Sequence, residues 1–427
     1  MASSPSIPRR RWRIALLLGF GVLVNYFDRV NLSVSQDALA HDFGITLVTF
    51  GWLAAAYNFT YAALQLPIGF ILDKFGIRRV GRVSIFLWSL ASFAAALSPG
   101  LKSLFAARLL LGVGEAPTFP ANGKAIGSWF PPHERSFATA INDSMAKLAS
   151  AIGVPVLGIL LLHIGWRMSF AATGIISLAY FALFWGVYTD PQHDTGLSDQ
   201  ERAYITGLPA NATPGPRPPT PRFLSLLANR KTIALMLGFG AYNYTFYLLL
   251  TWLPKYLSST LGIDLAHAFL YTGVPWLVAA ITDLLIGGWL ADFLIQRGAN
   301  PNTVRKTILA LGLACGMGIF GAAYAHTAVS AVLWISLSIG GVSAAAPIGW
   351  SIPSLIAPRQ SVGAVGGIAN FSSQVSAIAA PVITGYAVQS LHSFVLAFSI
   401  TAAYLAAGIF GYLVLMGPIE PMTLPAE

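Results

Sequence analysis

Apolar residues fill this chain in blocks too long for the core of a soluble domain. Hydropathy lays out twelve of them: 13–36, 46–72, 82–99, 102–129, 136–162, 168–189, 230–259, 266–296, 306–325, 329–357, 361–388 and 391–416. Each reaches or approaches the roughly 20 residues an α-helix needs to cross a bilayer. None resembles the ten-residue alternating segments of a barrel, and lipid admits only helices or closed barrels. The pattern predicts an all-α integral membrane protein of twelve transmembrane helices.

One long interval is polar, 190–229, and it carries Pro214, Pro216, Pro218, Pro219 and Pro221. It reads as a linker between two six-helix halves, 1–189 and 230–427. The halves repeat. Gly69-Phe70-Ile71-Leu72-Asp73 answers Gly288-Trp289-Leu290-Ala291-Asp292, and Arg78 and Arg297 stand equally far behind the two aspartates. Spans five and eleven each hold an internal proline, Pro155 and Pro381. A parallel repeat of this kind predicts pseudo-symmetric halves with a site between them near the midplane.

Composition agrees. Of 427 residues, 56% are hydrophobic and 10% charged, against about 25% charged in soluble domains. The formal charge of +9 is a matter of topology rather than of nucleic-acid binding. Basic residues gather around Arg9–Arg13, Lys74–Arg82, Arg202–Lys231 and Arg297–Lys306, whereas the expected outer loops hold only Lys102, Arg167 and Lys255. Both termini are therefore expected in the cytoplasm. Arginines before an apolar run also mark secretory and twin-arginine leaders, but this run is too long and is broken by Asp28-Arg29. Cys315 is the single cysteine, so no internal disulfide is expected. No zincin, nucleophile-elbow or phosphate-loop motif appears, so no enzyme activity, metal or cofactor is predicted.

Charges inside the spans change the picture most. Asn25-Tyr26-Phe27-Asp28-Arg29 sits in span one; Arg108 and Glu115 share span four. Intramembrane charges are costly and tend to mark substrate or proton paths, the alternative being ion pairs that only hold helices together. At 1.5 Å per residue, Arg29 and Arg108 both lie ~10 Å below the outer face and Glu115 ~20 Å. Span five carries Asp143 and Lys147, four apart. Lys147 admits three readings: an ion pair with Asp143, a partner that keeps Glu115 charged, or a third cation for a diacid. Asp283 in span eight reads as a proton carrier or as the cap of a hydrogen-bond network. Polar pairs at helical spacing offer a pocket for a hydroxylated ligand: Tyr61 with Gln65, Asn243 with Tyr247, Trp350 with Ser354, Asn370 with Gln374. Each could equally join helices. Lys124, near a helix end, reads as a snorkelling side chain.

The segment from Gly69 to Asp73-Lys74-Phe75-Gly76-Ile77-Arg78-Arg79 resembles the span-two signature of the major facilitator superfamily. Asn-Tyr-Phe-Asp-Arg at 25–29, Arg108 with Gly-Glu-Ala-Pro at 114–117, Phe-Pro-Ala-Asn at 119–122, Leu-Thr-Trp-Leu-Pro at 250–254 and Gly-Gly-Ile-Ala-Asn-Phe at 366–371 are similar to its anion:cation symporter branch. The resemblance spans all but the tails and the linker. It implies a secondary transporter importing a small organic anion by proton symport with alternating access. Members carry galactonate, glucarate and hexuronates, others aromatic carboxylates, and animal relatives sialate and glutamate. By position, Arg29 and Arg108 would meet the carboxylate, Asp28 and Glu115 would carry the proton, and Tyr61, Trp350 and Asn370 would touch the ligand. Asp73, Arg78 and Asp292 would belong to an inner gate, the first acid facing a helix N-terminus. Asp143, Lys147 and Asp283 depart from the branch pattern. Two competing readings are an exchanger or exporter, for which Gly153-Val-Pro155-Val-Leu-Gly158 is an imperfect match, and a non-transporting membrane receptor. The expected partners are the anion, the proton and the bilayer of the inner (plasma) membrane, around a monomer.

Overall fold

The computed structural model describes residues 9–131, 134–206, 223–358 and 361–422. Pro214 to Pro221, with Arg217 and Arg222, fall in the expected linker and lie outside the described residues, as does Arg359. The first part of the chain folds as α1 (Arg10–Val34), α2 (Gln36–Phe43), α3 (Leu47–Ala96), α4 (Leu101–Glu115), α5 (Thr118–Trp129) and α6 (Arg135–Val187). Two short helices follow, α7 (Asp199–Thr206) and α8 (Phe223–Leu227). The second part begins with α9 (Arg230–Leu261) and α10 (Leu265–Thr282), which runs through a π-helical stretch, Asp283–Leu290, into α11 (Ala291–Gln296). It continues with α12 (Pro301–Gly316), α13 (Ile319–Ala322), α14 (Ala328–Ile356), α15 (Val362–Leu391) and α16 (Val395–Phe410), which passes into a second π stretch, Gly411–Leu415.

At 50 and 53 residues, α3 and α6 would each be ~75–80 Å long if straight. Neither is straight. Gly76 (φ 76°) interrupts the first and Gly165 (φ 77°) the second, in a backbone region that side chains with a Cβ avoid. Each helix doubles back at its glycine. On α4, Gly112 abuts Tyr57 and Thr60 from one arm of α3, while Gly114, two residues on, abuts Trp88 from the other. On α1, Gly19 faces Met145 and Gly21 faces Tyr180, from the two arms of α6. With α4–α5, α10–π–α11 and α12–α13 counted as single broken traverses, the described residues make twelve, six before residue 190 and six after residue 229. Their outward faces carry Phe86, Ile159, Ile175, Trp185 and Leu333, all exposed, the surface a protein shows to lipid rather than to water.

The start of α1 marks what we term the near face of the bundle; the end of α1 marks the far face. At the near face, α1 is capped from a distance. The Glu201 carboxylate on α7 accepts from the backbone N–H of Arg10 (3.2 Å) and of Arg11 (3.1 Å) and from Arg11 Nη1 (3.0 Å). Arg11 also pairs with Glu134, and Arg10 with Asp194. Residues 190–206 of the expected linker are thus fastened to the first half. Glu201 is fully buried, so Glu201→Ala leaves orphaned donors and should cost ~1–3 kcal/mol. Thermal unfolding in detergent checks this against Asp199→Ala, an exposed control on the same helix; equal melting points for the two variants would contradict the capping role.

The far face is closed. Lys255 pairs with Asp37 at 2.6 Å, Ser33 Oγ donates to the Thr251 carbonyl at 2.9 Å, and the Val48 N–H donates to Gln389 Oε1 at 3.1 Å. Along α3 and α15 the backbones touch: a Cβ on Gly51 would stand 2.5 Å from the Pro381 oxygen, and one on Gly385 2.7 Å from the Leu47 oxygen.

Candidate substrate site between the halves

A cavity of about 460 Å³ lies between the halves, within the range of small-molecule sites. Its walls come from α1, α3, α5 and α6 on one side and from α9, α14 and α15 on the other. Gly123, Ile126, Thr139 and Gly366, at the near-face ends of their helices, border it, so it reaches toward that face while the far face is shut.

Seven of the eight residues in the polar pairs line this cavity: Tyr61, Gln65, Asn243, Tyr247, Trp350, Asn370 and Gln374. The helical spacing that selected them works because residues four apart share a face. Asn370 Nδ2 donates to Gln65 Oε1 at 2.9 Å, joining the halves across the cavity. Ser354 corrects the expectation. It is exposed one turn beyond Trp350, and its hydroxyl donates to the Ser351 carbonyl at 2.7 Å, so it is satisfied within its own helix and off the wall.

Arg29 is the cation on this wall among the described lining residues. Its fork is fully engaged: Nε with Glu115 Oε2 at 2.9 Å, Nη1 with the Tyr247 hydroxyl at 3.2 Å, Nη2 with Asn25 Oδ1 at 2.8 Å. The guanidinium carbon also lies 4.2 Å from the ring centre of Tyr26, 4.6 Å from Tyr57 and 5.6 Å from Tyr61, an aromatic box that holds a desolvated cation. Arg108 lies near it, 5.7 Å from the same Tyr57 ring. It does not line the large cavity, however. With Arg29 it borders a tight space of about 20 Å³ on the far side, with Ser33, Asn58 and Thr251, and its Nη1 donates to the Asp28 carbonyl at 3.3 Å.

The acids are placed differently from one another. Glu115 ends α4, where Ala116-Pro117 interrupts span four. It is wholly buried, pairs with Arg29 rather than Arg108, and its Oε1 meets no donor among the described residues. Asp28 lies inside the first half, off the cavity, with Ser92 donating to Oδ1 at 2.6 Å and Ser177 to Oδ2 at 3.2 Å. Lys147 does not reach Glu115; that reading is corrected. It sits between Asp143 (2.6 Å) and Asp283 (3.3 Å). Asp73 faces Lys124 of α5 at 2.7 Å rather than a helix start, and Lys124 also donates to the Leu72 carbonyl at 3.0 Å, so it does more than snorkel. Arg78 and Asp292 are exposed at the near face.

Sequence reasoning passed over Tyr57 and the pairing of Asn122 with Asn142 (3.1 Å) on the cavity wall. Tyr57 was open to discovery, since it stands one helical turn before Tyr61. The Asn122–Asn142 contact joins two spans and leaves no trace in local spacing.

Comparison with known proteins fits this geometry. The model of the Major Facilitator Superfamily matches residues 18–381. The chain is 36% identical to an uncharacterized transporter, YybO, of Bacillus subtilis, over 97% of this chain and 96% of that one. It is 32% identical to the D-galactonate transporter of Escherichia coli, over 96% of this chain and 97% of that one. Among solved structures, a D-xylose-proton symporter superposes with a TM-score of 0.74 at 18% identity, covering 96% of this chain and 98% of that chain. A twelve-traverse bundle in two halves, a polar cavity between them and a family match across most of the chain lead to one conclusion: the chain belongs to the Major Facilitator Superfamily, as a membrane transporter and not an enzyme.

Proposed function

We propose that this protein imports a small hydroxylated organic anion, a sugar acid such as an aldonate, aldarate or hexuronate, together with protons. The observation that carries the reading is Arg29, a buried guanidinium on the wall of an amide- and phenol-lined cavity, held by an acid whose second oxygen is unpartnered. A guanidinium fork suits a carboxylate. Gln65, Asn243, Asn370 and Gln374 suit hydroxyl groups, and Trp350 gives an apolar edge against Phe239.

The same arrangement couples two cargoes. A substrate carboxylate arriving at Arg29 competes with Glu115 for the fork. Glu115, once released, is a buried carboxylate without its cation, and it takes up a proton because the charged form is then disfavoured. Loss of the substrate restores the ion pair and expels the proton. Asp28, one residue before Arg29, is the second acid on this path, and Arg108 receives the anion when the far side opens.

The rest of the reading follows the charge pattern. The near face is cytoplasmic, so the cavity opens inward in this state of a carrier in the plasma membrane. Halves 1–189 and 230–427 rock about the site, 190–229 joins them, and Asp73, Arg78 and Asp292 take part in near-face closure.

Counterflow in liposomes tests the reading. Labelled D-galactonate should exchange, with unlabelled D-glucarate and D-glucuronate competing and benzoate not competing. Competition by benzoate alone would replace the sugar acid with an aromatic one; pH-independent exchange with no accumulation under a proton gradient would make the protein an exchanger.

A further inference from the structure

The seam between α6 and α10 holds charged groups that the substrate site does not use. Asp283 is the first residue of the π stretch and is fully buried. Lys147, also fully buried, reaches it from the other half of the molecule at 3.3 Å and is bound more tightly to Asp143 at 2.6 Å. Two carboxylates thus share one ammonium. With all three ionised the cluster keeps one uncompensated negative charge in a buried place, which is costly. Asp283 Oδ1 has no hydrogen-bond partner among the described residues. Asp143 lines the central cavity, so the cluster has a wet side. The backbone is also unusual here, because π stretches inside helices are rare and frequent at functional sites.

The surroundings add little that titrates. Tyr242 of α9 lies with its ring centre 5.9 Å from Lys147 Nζ. No titratable residue occurs on α14, and on α10 only His267 and Tyr271, at its far-face end, do. On α1, Asp28 is taken by Ser92 and Ser177, and Arg29 by Glu115.

We propose that Asp143, Lys147 and Asp283 form a second proton-binding site, on the seam between the halves and independent of the substrate anion, whose exchangeable proton sits on Asp283. A hydronium ion in the cavity delivers its proton past Asp143 to the Asp283 carboxylate, leaving a carboxylic acid and a water molecule. Lys147 stays an ammonium and keeps Asp143, a neutral pair within α6. The attraction from α6 to the π stretch is lost, and the strap between the halves loosens. Deprotonation restores it. The proton site stands on its own geometry; only its consequence for transport rests on the transporter reading.

Infrared difference spectra between mildly acid and mildly alkaline pH, on purified protein in lipid without any organic anion, test the site. A protonated-carboxyl band should appear in the wild type, persist in Glu115→Gln and vanish in Asp283→Asn. A band unchanged in Asp283→Asn overturns the proposal. Lys147→Gln, which leaves the carboxyl in place and removes its cation, serves should Asp283→Asn not fold. Its band should persist to more alkaline pH by about one unit or more, and an unmoved midpoint overturns the proposal equally. In liposomes, the pH dependence of D-galactonate counterflow that remains in Glu115→Gln should vanish in the double variant Glu115→Gln/Asp283→Asn; a dependence retained by the double variant contradicts the strap. An infrared band that behaves as expected beside a wild type that moves no sugar acid would refute the transporter's substrate and leave the proton site standing.

Discussion

Arg29→Ala should abolish D-galactonate binding by purified protein while leaving cooperative thermal unfolding in place. The guanidinium makes three hydrogen bonds and lies among three tyrosine rings, and no other cation lines the large cavity among its described residues. Removing one member of a buried charged pair costs roughly 2–5 kcal/mol, about thirty-fold to several thousand-fold in affinity. Part of that loss belongs to Glu115, left buried and alone. Arg29→Lys should rescue little, because an ammonium cannot engage Glu115, Tyr247 and Asn25 in one plane. Arg108→Ala should impair uptake from the far side more than binding from the near side, since Arg108 borders only the far space. Isothermal titration and liposome uptake measure the two effects; normal binding by Arg29→Ala would remove this residue from the site.

Glu115→Gln should separate exchange from accumulation. Glutamine keeps the shape of a protonated glutamate and an acceptor oxygen for Arg29 Nε, but it cannot release a proton. Counterflow of D-galactonate should survive. Uptake driven by a proton gradient should fall to the level set by exchange alone, because the empty carrier can return without discharging a proton. The physical reason lies in the pair itself: Glu115 has one oxygen on Arg29 and one without a donor, so the substrate's claim on Arg29 directly controls the acid's charge. Gradient-driven accumulation that survives unchanged would move the coupling to Asp28 or to the seam cluster.

What could be read from the sequence is what local patterns encode. Long apolar blocks gave the traverses, and spacing of four gave the polar pairs on the cavity wall. Depth counting put Arg29 and Arg108 on one level. It could not say which of them Glu115 would meet, because that depends on the break at Ala116-Pro117, which ends α4 at Glu115. Lys147, which admitted a pairing with Glu115, instead faces the other half, since pairing across the seam is decided by how the halves dock. The amphipathic α2 is half polar and too short to register as a span. Glu201 caps a helix that begins 191 residues earlier, a distance no window of local sequence can bridge.

Two of the seams where the halves meet are not chemically alike. Along α3 and α15, glycine lies against carbonyl oxygen at Gly51 with Pro381 and at Gly385 with Leu47, and Asn58 Nδ2 donates to the Ala377 carbonyl at 3.3 Å. None of these contacts carries a formal charge. Parting them separates no ion pair, so salt has little hold on that edge, and its opening gives up packing and neutral hydrogen bonds. Across the α6–α10 edge, Lys147 and Asp283 set charge against charge. A carrier built this way is steered asymmetrically. Lateral pressure in the bilayer would act on both edges, whereas a proton bound at the proposed seam site would act on the α6–α10 edge alone.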